Sequence, residues 1–221
     1  MDYAILAQKS YNDSINGFVN IFDSDTDTQC FVNKNASNNT LKIVFRGTNS
    51  LKDWRYDLQI LRKCTPYLGN SFVHVGFLKQ YESVRSRLHS YITPDIKHVI
   101  CTGSSLGAAL STICSLDMKL NFPSVEKVSC ITFGSPRVGG NRFVKLFNKN
   151  VDNSYRYVAY KDPVSFTPLP LRFRHVKGGF KIKENSLEMS EPNVYCFCGC
   201  LPSHHSCDTY IECLKGVTLN L

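Results

Sequence analysis

No apolar run in this 221-residue chain approaches the roughly 20 residues of a membrane-spanning helix, so the sequence predicts none. The N-terminus, Met1 to Lys9, has no basic region, and its apolar stretch is too short for a secretion signal. An intracellular, reducing setting is therefore the expectation. There is no internal repeat and no Pro- or Gly-rich linker, which argues for one domain over residues 1–221. Acidic residues are the scarcer charge: 18 against 26 Lys and Arg, a net charge of +8. The segment holding Arg172, Arg174, Lys177, Lys181 and Lys183 has no acid at all. It reads first as a solvated strand pair with basic outer faces. The second reading is attraction to an anionic membrane surface. Nucleic-acid binding is not expected, since no motif for it is present and aromatic interleaving stops at Phe173 and Phe180.

Cysteine is abundant, with ten residues. Cys101, Cys114 and Cys130 lie in apolar strand or helix patterns and read as small core residues. Cys196, Cys198 and Cys200 alternate, which on a strand puts them on one face, with His204, Cys207 and Cys213 nearby. A zinc site there is weighed and set aside, because C-x-C is tighter than the usual ligand spacing. Reduced thiols are the expectation, together with no metal and no cofactor.

Strands and helices alternate along the chain. Apolar strands are expected at 17–22, 29–33, 41–46, 97–102, 127–133 and 155–160, and a hairpin after 170. Helices are expected at 4–11, 51–61, 77–91, 108–122, 140–148 and 208–215. This alternation predicts a mostly parallel central sheet covered by helices on both faces, with functional groups at the carboxyl ends of its strands.

Gly103-Ser104-Ser105-Leu106-Gly107 sits where the strand Val99-Ile100-Cys101-Thr102 gives way to the small-residue helix after Ala108. This is a nucleophile elbow in its required context. A serine must stand on a strained strand-to-helix turn, and the flanking glycines let helix and strand approach. The spacing marks Ser105 as nucleophile; Ser104 is the neighbouring alternative. The helix N-terminus then offers the Leu106 N–H to a developing oxyanion. A second donor is expected from the strand end Gly47-Thr48. The carboxylate that orients the base should follow the elbow. Asp162, in Asp162-Pro163 after a strand, suits this best, with Asp117 and Asp152 as rivals. The base should come later still. His175 sits in a basic run that suits structure, and spacing leaves His204 and His205 equal.

In this order the motifs resemble the class 3 lipases, with the fungal triacylglycerol lipases and plant phospholipase A1-like enzymes. Phe45-Arg46-Gly47-Thr48, with Asp53-Trp54 and Asp57-Leu58 after it, looks like the oxyanion strand and short lid helix. Val73-His74-Val75-Gly76-Phe77, the elbow, Phe133-Gly134-Ser135-Pro136-Arg137-Val138-Gly139, Asp162-Pro163-Val164 and Arg174-His175-Val176 follow. His205-Ser206-Cys207-Asp208-Thr209-Tyr210 closes the series and selects His205 over His204. The resemblance implies an α/β-hydrolase fold and a triad of Ser105, Asp162 and His205. It also implies an oxyanion hole of Thr48 and Leu106, and a lid bearing Leu51, Trp54 and Leu58. Ser104 departs from the family, which has histidine there.

The expected activity is hydrolysis of lipid carboxylic esters, acylglycerol or phospholipid, through an acyl-enzyme on Ser105. The basic segment leans slightly towards phospholipids. The rival readings are a non-lipid carboxylesterase and a catalytically silent lipid-binding protein on the same scaffold.

Overall fold

The computed structural model describes residues 1–48, 61–160, 162–183, 186–190 and 205–215. The chain opens with a helix, α1 (Asp2–Lys9), followed by three strands, β1 (Val19–Asp23), β2 (Thr28–Asn35) and β3 (Thr40–Phe45). A short hairpin, β4 (Arg62–Thr65) and β5 (Ser71–His74), leads directly into α2 (Val75–His89). Then come β6 (His98–Ser104), α3 (Leu106–Asn121), β7 (Lys127–Phe133), α4 (Asn141–Asn150) and β8 (Asn153–Ala159). The described chain ends with β9 (Gly179–Lys183), β10 (Ser186–Ser190) and α5 (Cys207–Lys215).

Eight of the strands form one sheet in the order β1-β2-β3-β6-β7-β8-β9-β10. Its centre is parallel, β3 to β6 to β7 to β8 to β9. Antiparallel pairs close both edges, β1–β2–β3 on one side and β9–β10 on the other. The predicted α/β-hydrolase architecture is present, and fully covered parallel strands explain the near-continuous apolar runs of β6 and β7.

Side-chain alternation sorts the two cores. On one face Val99, Cys101, Val128 and Cys130 pack with Phe77, Leu78 and Tyr81 of α2, Leu110 and Ile113 of α3, and Phe143 and Phe147 of α4. On the other, Ile100, Ile131, Phe133, Ala159 and Ile182 pack with Ala4 and Ala7 of α1 and Tyr210 and Ile211 of α5. Cys101, Cys114 and Cys130 are buried and free, as small apolar residues in a core are. Among the described residues, no helix is long and apolar enough to cross a membrane.

One sequence expectation changes, and the two rivals to Asp162 fall away. The β4–β5 hairpin was not foreseen, because Arg62-Lys63-Cys64-Thr65 carries no apolar alternation; its register is set by pairing Arg62 to His74 and Thr65 to Ser71. Asp117, a rival for the orienting carboxylate, is buried at the far end of α3. There it accepts hydrogen bonds from Tyr81 (2.6 Å), Arg85 (2.8 and 2.9 Å) and Asn121 (2.7 Å), with His89 Nε2 at 2.8 Å. It ties α2 to α3. Asp152, the other rival, accepts from the Val128 N–H at 2.8 Å and pairs with Lys119 at 3.1 Å, at the amino end of β7. Neither carboxylate is at the end of the sheet where the elbow lies. Residues 51–60 of the helix expected at 51–61, with Leu51, Trp54 and Leu58, lie outside the described residues, as do Cys196, Cys198, Cys200 and His204.

Candidate active site

Ser105 follows the last residue of β6 and precedes the first of α3. Its backbone sits at φ 57°, ψ −123°, a conformation a non-glycine residue adopts only when its surroundings impose it. The constraint comes from both sides. Its N–H donates to the Phe133 carbonyl at 3.0 Å, and its own carbonyl accepts from Ala108 at 3.0 Å. The turn also requires bare backbone. A Cβ on Gly103 would lie 2.6 Å from the Gly107 carbonyl carbon and 2.8 Å from the Phe45 oxygen, and one on Gly107 would collide with that same oxygen. The 16-residue α3 ends at this point with its amino terminus, so the Leu106 N–H carries the positive end of the helix dipole. Because Phe45 pairs with Gly103, the β3 continuation through Gly47 to Thr48 runs beside the elbow. Thr48 and Ser105 border the same cavity.

Asp162 follows β8 and is wholly buried. Its carboxylate is held by three groups. The Val164 N–H donates to Oδ1 at 2.8 Å, the Tyr210 hydroxyl donates to Oδ2, and His205 Nδ1 lies 2.8 Å from each oxygen. A carboxylate accepts only, so Nδ1 carries the imidazole proton and Nε2 is left as the acceptor. Nε2 is buried and makes no hydrogen bond to any described residue. Tyr210 is itself fixed, since its oxygen accepts from the Ala159 N–H at 3.0 Å. Burial, and then the charge of Asp162, hold the Tyr210 hydroxyl far above its usual pKa, so it stays a proton donor to the carboxylate.

Beneath this pair lies Gly134, at φ +59° just past β7. A Cβ there would stand 2.7 Å from Asp162 Oδ2 and 2.7 Å from His205 Cε1. The glycine is the floor on which carboxylate and imidazole meet.

Ser105, His205 and Thr48 all border one cavity of about 360 Å³. Ser206 and the first residues of α5, Cys207 and Asp208, add to its wall, as do Gln8 of α1 and Tyr11 in the turn after it. Burial, with a smaller effect of Cys207, raises the Tyr11 pKa, so the phenol stays protonated. Burial likewise raises the Cys207 thiol, keeping it in the weakly reactive protonated form.

Of the residues singled out from sequence, Ser105, Asp162, His205, Thr48 and Leu106 converge at the carboxyl ends of β3, β6 and β8. His175 does not join them. Its Nε2 faces the Ser165 carbonyl at 2.7 Å, and burial beside Arg156 and Arg137 drives its pKa well below the usual imidazole value. It braces the loop after Asp162 as a neutral ring. Among the described residues no group of three or more His, Cys, Asp or Glu side chains is placed to hold a metal ion. Sequence reasoning missed Gly134 as the floor, and gave no role to Tyr210 although its motif was noted. Gln8, Tyr11 and Asp208 carry no local signal, because only the docking of α1 against α5 brings them to the cavity.

The family model Lipase (class 3) matches residues 42–171. The lipase of Rhizomucor miehei is 31% identical over 170 residues, covering 73% of this chain and 47% of that protein. Phospholipase A(1) DAD1, chloroplastic, of Arabidopsis thaliana is 31% identical over 150 residues, covering 57% of this chain and 33% of that one. The chain thus spans half or less of the length of these curated relatives. In three dimensions it is similar to the native Rhizomucor miehei lipase propeptide complex, with a TM-score of 0.76 and 27% identity, over 90% of this chain and 74% of that one.

Proposed function

The chain belongs to the class 3 lipase family, and from that premise we propose that it is a serine hydrolase of lipid carboxylic esters. The observation that carries the proposal is the His205 imidazole. Its Nδ1 is committed to a buried carboxylate, while its Nε2 is unpartnered among the described residues, and it borders the same cavity as a serine on a strained elbow. His175 also has one bonded and one unbonded ring nitrogen, but its partner is a backbone carbonyl and it does not border that cavity.

In the proposed reaction Nε2 takes the Ser105 hydroxyl proton as Oγ attacks the ester carbonyl. Asp162 keeps the tautomer and offsets the charge of the imidazolium. The oxyanion is held by the Leu106 N–H and by Thr48, each such donor contributing about 3 kcal/mol to barrier lowering. The imidazolium then protonates the departing alcohol. The acyl-enzyme is released when a water, deprotonated by the same Nε2, attacks it. No step calls for a metal or an organic cofactor.

Peripheral contact with an anionic membrane inside the cell belongs to the same proposal. Leu171 is 82% exposed and Leu169 52% exposed, next to the basic segment that begins at the exposed Arg172. An apolar pair flanked by cations suits an anionic interface. The free, buried Cys30, Cys101, Cys114 and Cys130 suit a reducing setting.

The test is hydrolysis of p-nitrophenyl butyrate and palmitate by the wild type and by Ser105→Ala, with and without anionic micelles. Turnover by the wild type and none by the alanine variant is the expected result. A folded wild type that cleaves neither ester under either condition would return the protein to the binding-scaffold reading. Preference for butyrate in free solution would favour a non-lipid esterase.

A further inference from the structure

A positive charge lies in the interior of the sheet with no protein group to balance it. Arg156, in the middle of β8, is 3% exposed. It alternates with Tyr155 and Tyr157, which stack on Phe180 on one face of the sheet, so its own side chain enters the other face. Its Nε has no hydrogen-bond partner, and it makes no ion pair with any described residue. Burial, and then the charge of Arg137, push its pKa down to about 10, which still leaves it cationic at neutral pH.

Two further groups stand near it. Arg137 is buried as well; its backbone N–H donates to Thr167 at 2.7 Å, and its Nη1 donates to the carbonyls of Phe166 and Pro168. Those carbonyls take hydrogen bonds but carry no net charge. His175 lies three residues before Gly178, whose carbonyl accepts the Arg156 N–H at 2.7 Å. Burial, then Arg156 and Arg137, keep its ring neutral. Because Nε2 donates to the Ser165 carbonyl, Nδ1 is an acceptor, and it too is buried without a partner. The local sequence holds no spare acid. Between residues 153 and 183 the one carboxylate is Asp162, and it is engaged by Val164, Tyr210 and His205.

An uncompensated buried cation is strongly destabilising, and a buried polar group without a protein partner points to an ion or water held there. We infer that Arg156, with Arg137 beside it, binds a small monovalent anion inside the fold, behind the loop that fixes Asp162. The near-complete burial of all three side chains limits the ligand to a few atoms. One negative charge matches the one guanidinium without a partner, and a divalent anion costs more to strip of its water. Chloride and hydrogencarbonate both meet these terms. Chloride accepts from the guanidinium alone. Hydrogencarbonate accepts from Arg156 and donates its hydroxyl to His175 Nδ1. Either ion tightens the loop at 163–168, because His175 and Arg137 both bond to it. That loop gives the Val164 N–H to the Asp162 carboxylate and the Ser165 hydroxyl to its carbonyl. None of the three side chains borders the cavity at Ser105, and the inference stands apart from the esterase reading.

The experiment follows thermal melting after dialysis into sodium gluconate, whose anion is too large for the site. Chloride or hydrogencarbonate then replaces gluconate at a constant ionic strength of about 0.2 M, so that screening is unchanged. The pH is mildly alkaline, where hydrogencarbonate is the main carbonate species. Wild type, Arg156→Met and Arg172→Ala are compared; the methionine keeps a long apolar stem without the charge, and Arg172 is an exposed cation of the basic segment. The wild-type Tm should rise saturably with at least one of the two ions, by about 5 °C or more once the ion reaches about a hundred times its dissociation constant. Arg172→Ala should keep the rise and Arg156→Met should lose it. If the methionine variant does not fold, Arg156→Gln, neutral but still a donor, takes its place with the same expected loss. A rise with chloride alone assigns a halide. A rise with hydrogencarbonate, alone or at lower concentration than chloride, assigns an oxyanion seated on His175. No rise with either ion, a rise that does not saturate, one that persists without the Arg156 charge, or one lost in Arg172→Ala overturns the inference.

Discussion

Replacing Gly134 by alanine would drive a methyl group into the contact between Asp162 and His205. The added Cβ would lie 2.7 Å from Asp162 Oδ2, 2.7 Å from His205 Cε1 and 2.9 Å from Nδ1, where ordinary contact begins at 3.4 Å. The imidazole or the carboxylate must therefore yield by about 0.7 Å. Neither moves freely, since the Val164 N–H and the Tyr210 hydroxyl pin the carboxylate. The backbone adds strain of its own, because the position sits at φ +59° and a side chain there costs about 1–2 kcal/mol. For a chain of this length each kcal/mol shifts Tm by roughly 2–4 °C. The displacement falls on the base of the proposed reaction, where an error of about 1 Å costs about a hundredfold. The expected outcome is a kcat on p-nitrophenyl butyrate lowered roughly 30- to 100-fold, with a Tm only a few degrees down. Stopped assays alongside thermal melts separate the two effects. A variant that keeps kcat within threefold of wild type would show that the Asp162–His205 geometry does not depend on this floor.

Three further outcomes follow from the same contacts. Tyr210→Phe removes a donor to Asp162 and strands the buried Ala159 N–H, so stability should fall by about 1–3 kcal/mol and kcat by about tenfold; unchanged values in urea titration and esterase assay would refute the bracing role. Asp117→Asn breaks the carboxylate that Tyr81, Arg85 and His89 share, far from Ser105. It should cost about 3 kcal/mol in urea denaturation while the folded enzyme keeps its kcat, and a large kcat loss in fully folded protein would contradict its placement. His175 is held neutral in the folded state, its pKa depressed by burial and by Arg156 and Arg137. Above about pH 6.5 both folded and unfolded chains carry it neutral. Below that, only the unfolded chain takes up the proton, so stability falls by about 1.4 kcal/mol per pH unit until the folded pKa is reached. His175→Gln should remove that part of the slope; an identical slope in variant and wild type would exclude His175 as its source.

The elbow was readable in the sequence because its requirements are local. The strand, the serine and the two glycines that Phe45 and the helix backbone crowd are all within a few residues of one another. The parallel sheet was readable for a related reason, since strands covered on both faces tend to near-continuous apolar runs, and β6 and β7 approach them with Val99-Ile100-Cys101 and with Val128, Cys130, Ile131 and Phe133. Asp162 and His205 were less legible. Sequence order alone left Asp117, Asp152 and His204 as rivals, and the resemblance to class 3 lipases was needed to choose the histidine. The folded chain separates the carboxylates directly: Asp117 is spent on Arg85 and His89, and Asp152 sits at the opposite end of β7.

What depended wholly on tertiary structure was the company these residues keep. Gln8 and Asp208 are 200 positions apart, yet they hydrogen-bond across the cavity mouth. The hydroxyl of Tyr210 reaches a carboxylate 48 positions earlier. The unforeseen β4–β5 hairpin is of the same kind, four-residue strands whose partners, not their composition, make them strands. The sequence by itself determined which residues can do the chemistry and the local turns that expose them, because bond geometry and apolar periodicity act over a few residues. The tertiary structure alone decided what floor holds the Asp162–His205 pair, which hydroxyl grips the carboxylate and which groups line the cavity, because those depend on helices and strands packed against one another from distant parts of the chain.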